Sequence, residues 1–307
     1  MKRFLLCCTV CILILALTGC GDVPQTQGED SDALRIGVKN TEEHQVLGIL
    51  AKILIEEKTD AKAKIVYDDD VTSETLFDDL QNKKLEMYFD YSGSVGENVL
   101  SLNHDNGGDE EGSTMLLVEL QNILAGEYQT YLSNSIGYEG GVTIYITPEK
   151  REELNGISSY SELAAISKDL VIGMPQGFKE RVDGYSAMKE FYQFKFKKAN
   201  IYSEKEGFWA LVHGEIDVMV GDTTSIYNSL YNLYLLSDDK RFFQPQLSCY
   251  VVRNEVFEEN DGVKDALAIM NDLLTAGKMS SIKRKIYWEG QDPETYLRTY
   301  LRARNLI

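Results

Sequence analysis

Beyond residue 20 the chain has a single cysteine, Cys249. No internal disulfide can form there, so an apolar core must hold the fold, which a chain of this length can build. Cys249 lies in Leu247–Val252, a run that reads as a buried strand, where a small apolar role fits better than a nucleophile. Bases are scarce too: 31 Lys and Arg face 49 Asp and Glu, a formal charge of −18. Such a surface argues against nucleic acid and against charge-driven binding of anionic lipid. The three histidines, His44, His104 and His213, sit in unrelated contexts without metal-ligand spacing and read as solvated or capping groups. No G-x-S-x-G, P-loop, G-x-G-x-x-G or C-x-x-C occurs. Asp68-Asp69-Asp70 and Asp109-Glu110-Glu111 fall in polar, loop-like stretches and read as solvated surface. The reading therefore names no catalytic residue, metal site or cofactor.

After the first 17 residues no apolar run is long enough to cross a bilayer. What stands at the start is Lys2 and Arg3, the apolar stretch Phe4–Leu17, and then Leu17-Thr18-Gly19-Cys20. The stretch is short for a membrane span and suits a signal peptide. Its end resembles a bacterial lipobox, which makes Cys20 the expected lipidated first residue of the mature chain. Removing Lys2 and Arg3 leaves 49 acids against 29 bases, or −20, so membrane attachment has to come from acyl chains, at about 0.8 kcal/mol per buried CH₂. The protein is then expected outside the cytoplasm of a bacterium.

The sequence 21–32, GDVPQTQGEDSD, has almost no apolar content and reads as a tether. Alternation starts at Leu34. Leu34–Lys39 reads as a strand, Glu42–Lys58 as a helix with Val46, Leu47, Leu50, Ile53 and Leu54 at helical spacing, Ala63–Tyr67 as a strand, Ser73–Asn82 as a helix and Glu86–Tyr91 as a strand. Such an order defines a parallel α/β sheet. A middle block repeats it with strands at Val142–Thr147, Leu170–Gly173 and Ile216–Val220. Strands resume near Leu235 and Gln246–Val252, and helices finish the chain. One lobe interrupted by another is the expected architecture, with a ligand cleft between them. The boundaries expected are a signal at 1–19, a lipid-anchored tether at 20–33, the first lobe at 34–138 and again at 226–307, and the second lobe at 139–225.

Tyrosine is abundant: 18, against 11 Phe and 2 Trp. Aromatic faces attract cations, most strongly where the cation is desolvated. Tyr227, Tyr231 and Tyr234 fit one packed helix face. Tyr91 ends a strand just before Ser92-Gly93-Ser94, where a cleft is expected, and is a candidate ligand contact.

Several stretches together resemble the osmoprotectant-binding proteins of ABC importers, the glycine betaine, carnitine and choline family. They are Arg35-Ile36-Gly37-Val38-Lys39 with Glu43 and Val46-Leu47-Gly48; Phe89-Asp90-Tyr91-Ser92-Gly93-Ser94; Phe178–Tyr185; Gly214-Glu215-Ile216-Asp217-Val218; and Leu236–Pro245. The resemblance runs in order from about residue 34 to 307. It implies an α/β, two-lobed type II periplasmic-binding-protein fold and a quaternary ammonium held by aromatic rings. It also implies a permease and ATPase subunits as partners, with the binding protein monomeric. Carried over, Lys39, Ser94 and Arg181 fall on carboxylate-side positions, and Tyr91 falls on a cage position. Phe208 falls on another, with Trp209 beside it.

The departures bear on the ligand. The family's first-crossing tyrosine is here Val142, and a further cage tyrosine is here Asp222. His44 replaces a frequent glutamine. A carboxylate near the cage would favour a net cation over a zwitterion. The alternatives left open are a different amine, a heterocyclic cation, or a surface sensor or enzyme reusing the fold.

Overall fold

The computed structural model describes residues 32–67, 71–102 and 110–307. Cys20, the signal and nearly all of the tether lie outside these residues, as do Asp68-Asp69-Asp70, His104 and Asp109. The described strands are β1 (Leu34–Val38), β2 (Ala63–Tyr67), β3 (Met87–Tyr91), β4 (Thr130–Leu132), β5 (Val142–Ile146), β6 (Val171–Met174), β7 (Lys198–Ile201), β8 (Val218–Asp222), β9 (Tyr234–Leu236) and β10 (Ser248–Arg253). They form two five-stranded sheets, ordered β2-β1-β3-β10-β4 and β7-β6-β8-β5-β9. In the first, β1 pairs in parallel with β2 and β3, and β10 runs antiparallel to β3 and β4. In the second, β6 pairs in parallel with β7 and β8, and β5 is antiparallel to β8 and β9.

Helices cover both faces of each sheet, which explains strands that read as continuous apolar runs. In β3, Met87 and Phe89 enter one core with Ile36 and Leu50, while Tyr88 turns to the other face with Leu76 and Leu120. Helix α1 (Glu42–Lys58) packs Val46, Leu47, Leu50, Ile53 and Leu54 into the first of these cores. Thr41 caps it, its hydroxyl accepting the His44 N–H at 3.2 Å. The closing helices join the same core through Val263, Leu267, Met279, Ile282 and Leu297, so the C-terminus completes the first lobe.

The chain first passes from one sheet to the other between β4 and β5; the second crossing is expected near 225. Residues 221–225 are the end of β8 and the turn after it, and the chain stays with the second lobe. β9 pairs with β5, and Phe242 and Phe243 pack on that lobe's core. The return runs through Pro245–Leu247 alongside the first crossing, with Gly140 N–H donating to the Gln246 carbonyl at 2.8 Å and Ser248 N–H to Tyr138 at 3.1 Å. The expected boundary at 225/226 is therefore about twenty residues too early.

The glycines at the crossings differ in role. Gly137 and Gly141 take φ of +115° and +101°, which few other residues adopt. At Gly137 a Cβ would also lie 2.4 Å from the Leu274 carbonyl oxygen. Gly221, at the end of β8, has no left-handed φ. It is small because the Phe208 ring sits where its Cβ would go, 2.8 Å away.

Candidate functional site

The site is built where β3, the first crossing and the end of β8 meet. β5 and β8 pair so that Val142 stands opposite Asp222. The two positions at which the family resemblance replaces a cage tyrosine are thus direct neighbours. Thr223 N–H extends the pairing to the Gly141 carbonyl at 2.9 Å.

A cavity of about 880 Å³ lies along the crossings. It brings together two expected residues, Ser94 from the turn after β3 and Arg181 from the second lobe, with Val142, Thr223 and Gln246. The Ser94 hydroxyl donates to Gln246 Oε1 at 3.4 Å. Arg181 forks onto Asp183, with Nε 2.8 Å from Oδ1 and a second contact from its terminal nitrogen. This pairing holds the guanidinium above its ordinary range and the Asp183 carboxyl below its own.

Beside the cavity, Glu43 in the first turn of α1 is 7% exposed. Its carboxylate accepts three hydroxyls: Tyr91 at the end of β3, Tyr138 in the first crossing at 2.7 Å, and Thr224 after β8. Burial first, and then the neighbouring Glu43, push both phenols far above their usual range, so they remain donors. The Tyr91 ring lies against Gly140, where a Cβ would approach ring carbons at 2.3 Å. His44 meets it edge-on, with centroids 5.8 Å apart.

Asp222 is reached by solvent, yet surrounding protein strips part of its hydration and raises its pKa. Glu204 and Glu43 raise it further, while Lys283 and Arg181 oppose them. Glu42 is raised in the same way, by burial and by Glu204 against Lys283. The Asp222 carbonyl, accepting from Tyr145 OH at 2.5 Å, ties its backbone to the second lobe's core.

Three expected contacts are used differently. Lys39 Nζ is bound to Asp90 Oδ1 at 2.7 Å and Ser73 at 2.9 Å, so its charge is already matched by a carboxylate. Phe208 is fully buried, stacked on Tyr227 at 4.9 Å and edge-on to Tyr145 at 5.1 Å. It has no free face for a ligand and instead buttresses Gly221 and Tyr145. Trp209 is 48% exposed, stacked on His213 at 4.0 Å, and does not line the cavity. Sequence reasoning missed Asp90 as the partner of Lys39, and Tyr138 and Thr224 as partners of Glu43.

His44 is neither solvated nor simply a cap. It is 4% exposed, and its ring bonds the Thr41 hydroxyl at 2.8 Å. Burial, then Lys39, lower its pKa to about 4; Glu43 and Asp90 pull it up and Lys283 down. An unfolded histidine titrates near 6.5. Between about 6.5 and 4 the unfolded state therefore takes up a proton that the folded state refuses. Stability should fall with pH in that window by up to about 1.4 kcal/mol per unit, with no loss through this group above it. Urea melts across the window should show His44→Gln flattening the slope; an unaltered slope refutes the assignment.

Two α/β lobes on paired crossing strands, with a polar cleft beside them, define a solute-binding protein. Residues 32–303 match the family described as the substrate binding domain of the ABC-type glycine betaine transport system, and the chain belongs to that family. It is 24% identical over 314 residues to the carnitine transport binding protein OpuCC of Listeria monocytogenes serotype 1/2a, spanning 99% of this chain and 97% of that one. It is 25% identical over 171 residues to the glycine-betaine-binding protein of Pseudomonas aeruginosa, spanning 52% of this chain and 55% of that one. A solved structure titled as a glycine betaine/carnitine/choline ABC transporter superposes with a TM-score of 0.80 at 23% identity, covering 89% of this chain and 99% of its own. The protein is thus the substrate-binding component of an ABC transporter, a class that works outside the cytoplasm.

Proposed function

We propose that this protein captures a small quaternary ammonium or related amine carrying net positive charge, such as choline, and delivers it to an ABC permease driven by ATPase subunits. It has no catalytic step of its own. The observation that carries the ligand class is the charge balance beside Tyr91. Glu42, Glu43, Glu204 and Asp222 face one another's fields, and the bases that oppose them are few: Lys283, paired with Glu42 at 3.9 Å, and Arg181, which acts on Asp222. Lys39 and Arg181, which would receive a ligand carboxylate, are engaged by Asp90 and Asp183. A zwitterion gains less here than a cation.

Thermal melts of the soluble chain lacking the signal test this reading. A ligand at 100 times its dissociation constant adds roughly 2.7 kcal/mol to folding stability. Choline should raise the melting temperature more than glycine betaine or carnitine at equal concentration. A response only to zwitterions, or only to ligands without an ammonium group, would refute the cationic assignment.

Attachment to the membrane through Cys20 belongs to the same reading. It is supported by the apolar run that ends in Leu17-Thr18-Gly19-Cys20 and by an acidic chain with little attraction to anionic lipid. Labelled palmitate should enter the wild type and not Cys20→Ala; incorporation by both sinks the anchor.

A further inference from the structure

We propose that Glu43 is a specificity-determining residue that acts through Tyr91: its carboxylate orients the phenol, enriches the ring and lays a negative charge behind it, so that the ring prefers a cation to a neutral group of the same shape. The proposal deepens the cationic reading above and rests on it.

A buried carboxylate ordinarily has a basic partner. Glu43 has none among the ion pairs of the described residues; its partners are the hydroxyls of Tyr91, Tyr138 and Thr224. Lys39 is held by Asp90 instead. Two features stabilise such an anion. A carboxylate is an acceptor and three donors meet it, and it lies in the first turn of a 17-residue helix, where exposed N–H groups favour negative charge. The charge is thus kept in place without being cancelled.

The consequence falls on Tyr91. A phenol that donates its proton to a carboxylate gains electron density on the ring, and a ring attracts cations through that density. The same bond fixes the ring's rotation while Gly140 closes in on it. Because the donors come from β3, the first crossing and the segment after β8, the carboxylate also fixes the ring relative to both lobes. Glu43 itself need not touch a ligand for any of this.

A structural and an electrostatic role predict different results. Glu43→Gln keeps the length of the side chain and an acceptor oxygen but removes the charge. Binding of choline and of 3,3-dimethylbutan-1-ol, its neutral carbon isostere, should be measured by calorimetry or displacement for the wild type and the variant. We expect choline to lose about tenfold or more in affinity and the isostere less than about threefold. Equal losses for both overturn the proposal, as does no loss for either. Should Glu43→Gln fail to fold, Glu43→Asp retains the charge and serves in its place: it should keep the wild-type ratio of choline to isostere affinity, and a collapse of that ratio would overturn the charge argument. A wild type that binds no quaternary ammonium overturns the ligand reading itself and this inference with it, a result separable from equal losses in a chain that does bind choline.

Discussion

Replacing Tyr91 with alanine is expected to weaken binding of a quaternary ammonium at least tenfold. A cation over a desolvated aromatic ring is worth about 2 kcal/mol or more, and every 1.4 kcal/mol is a factor of ten. Tyr91 is half-buried at the end of β3, and its hydroxyl is committed to Glu43. What it has left to offer a ligand is its ring. Tyr91→Phe separates the two contributions. It keeps the ring but leaves Glu43 one donor short, so its loss should be smaller than that of Tyr91→Ala yet measurable. Calorimetric titration with choline, alongside melting curves to confirm folding, reads both. If Tyr91→Ala folds and binds choline as the wild type does, the ring is not in the site.

The same corner shows how far the sequence carried. β1, α1, β2 and β3 were legible because each has a strong local signal: α1 has an apolar stripe after a Thr cap, and β3 a run buried on both faces. The second crossing was misplaced because β9 is three residues long, too short for periodicity to register, and its pairing with β5 spans about ninety residues. Phe208 misled for a similar reason. Its burial is created by Tyr227 and Tyr145, which reach it from other elements, so an aromatic near a cleft motif looked available when it was core. Lys39 looked free because Asp90 is 51 residues away. Glu43 was hidden by its own good local explanation: an acid in the first turn of a helix needs no further account. Only the crossing of Tyr138 and Thr224 over it reveals a second role. Asp222 was singled out as a departure from the family pattern, and the structure pairs it with Val142, the other departure.

Asp222→Asn should separate a net cation from a zwitterion more sharply than any other single change. The carboxylate is exposed to solvent but ringed by Glu204 and Glu43, with Lys283 and Arg181 opposing them. Its pKa is raised by lost hydration and by these acids, so it is an anion that its surroundings compensate poorly. A ligand cation would supply what Lys283 and Arg181 do not. Choline brings one uncompensated positive charge, and removing the partner of such a charge in a partly desolvated cleft costs more than the contact's net worth. Glycine betaine brings its own carboxylate, which Asp222 repels while attracting the ammonium, so the two effects offset. Asp222→Asn should therefore weaken choline by tenfold or more and leave glycine betaine within about threefold or slightly improved. The raised pKa adds a sign that can be checked independently. As pH falls towards it, Asp222 is neutralised, so choline affinity in the wild type should decline with acidity, and Asp222→Asn should lose that part of the decline. Equal effects of the substitution on both ligands, with an unaltered pH profile, would place Asp222 outside the site and return the ligand to the zwitterions.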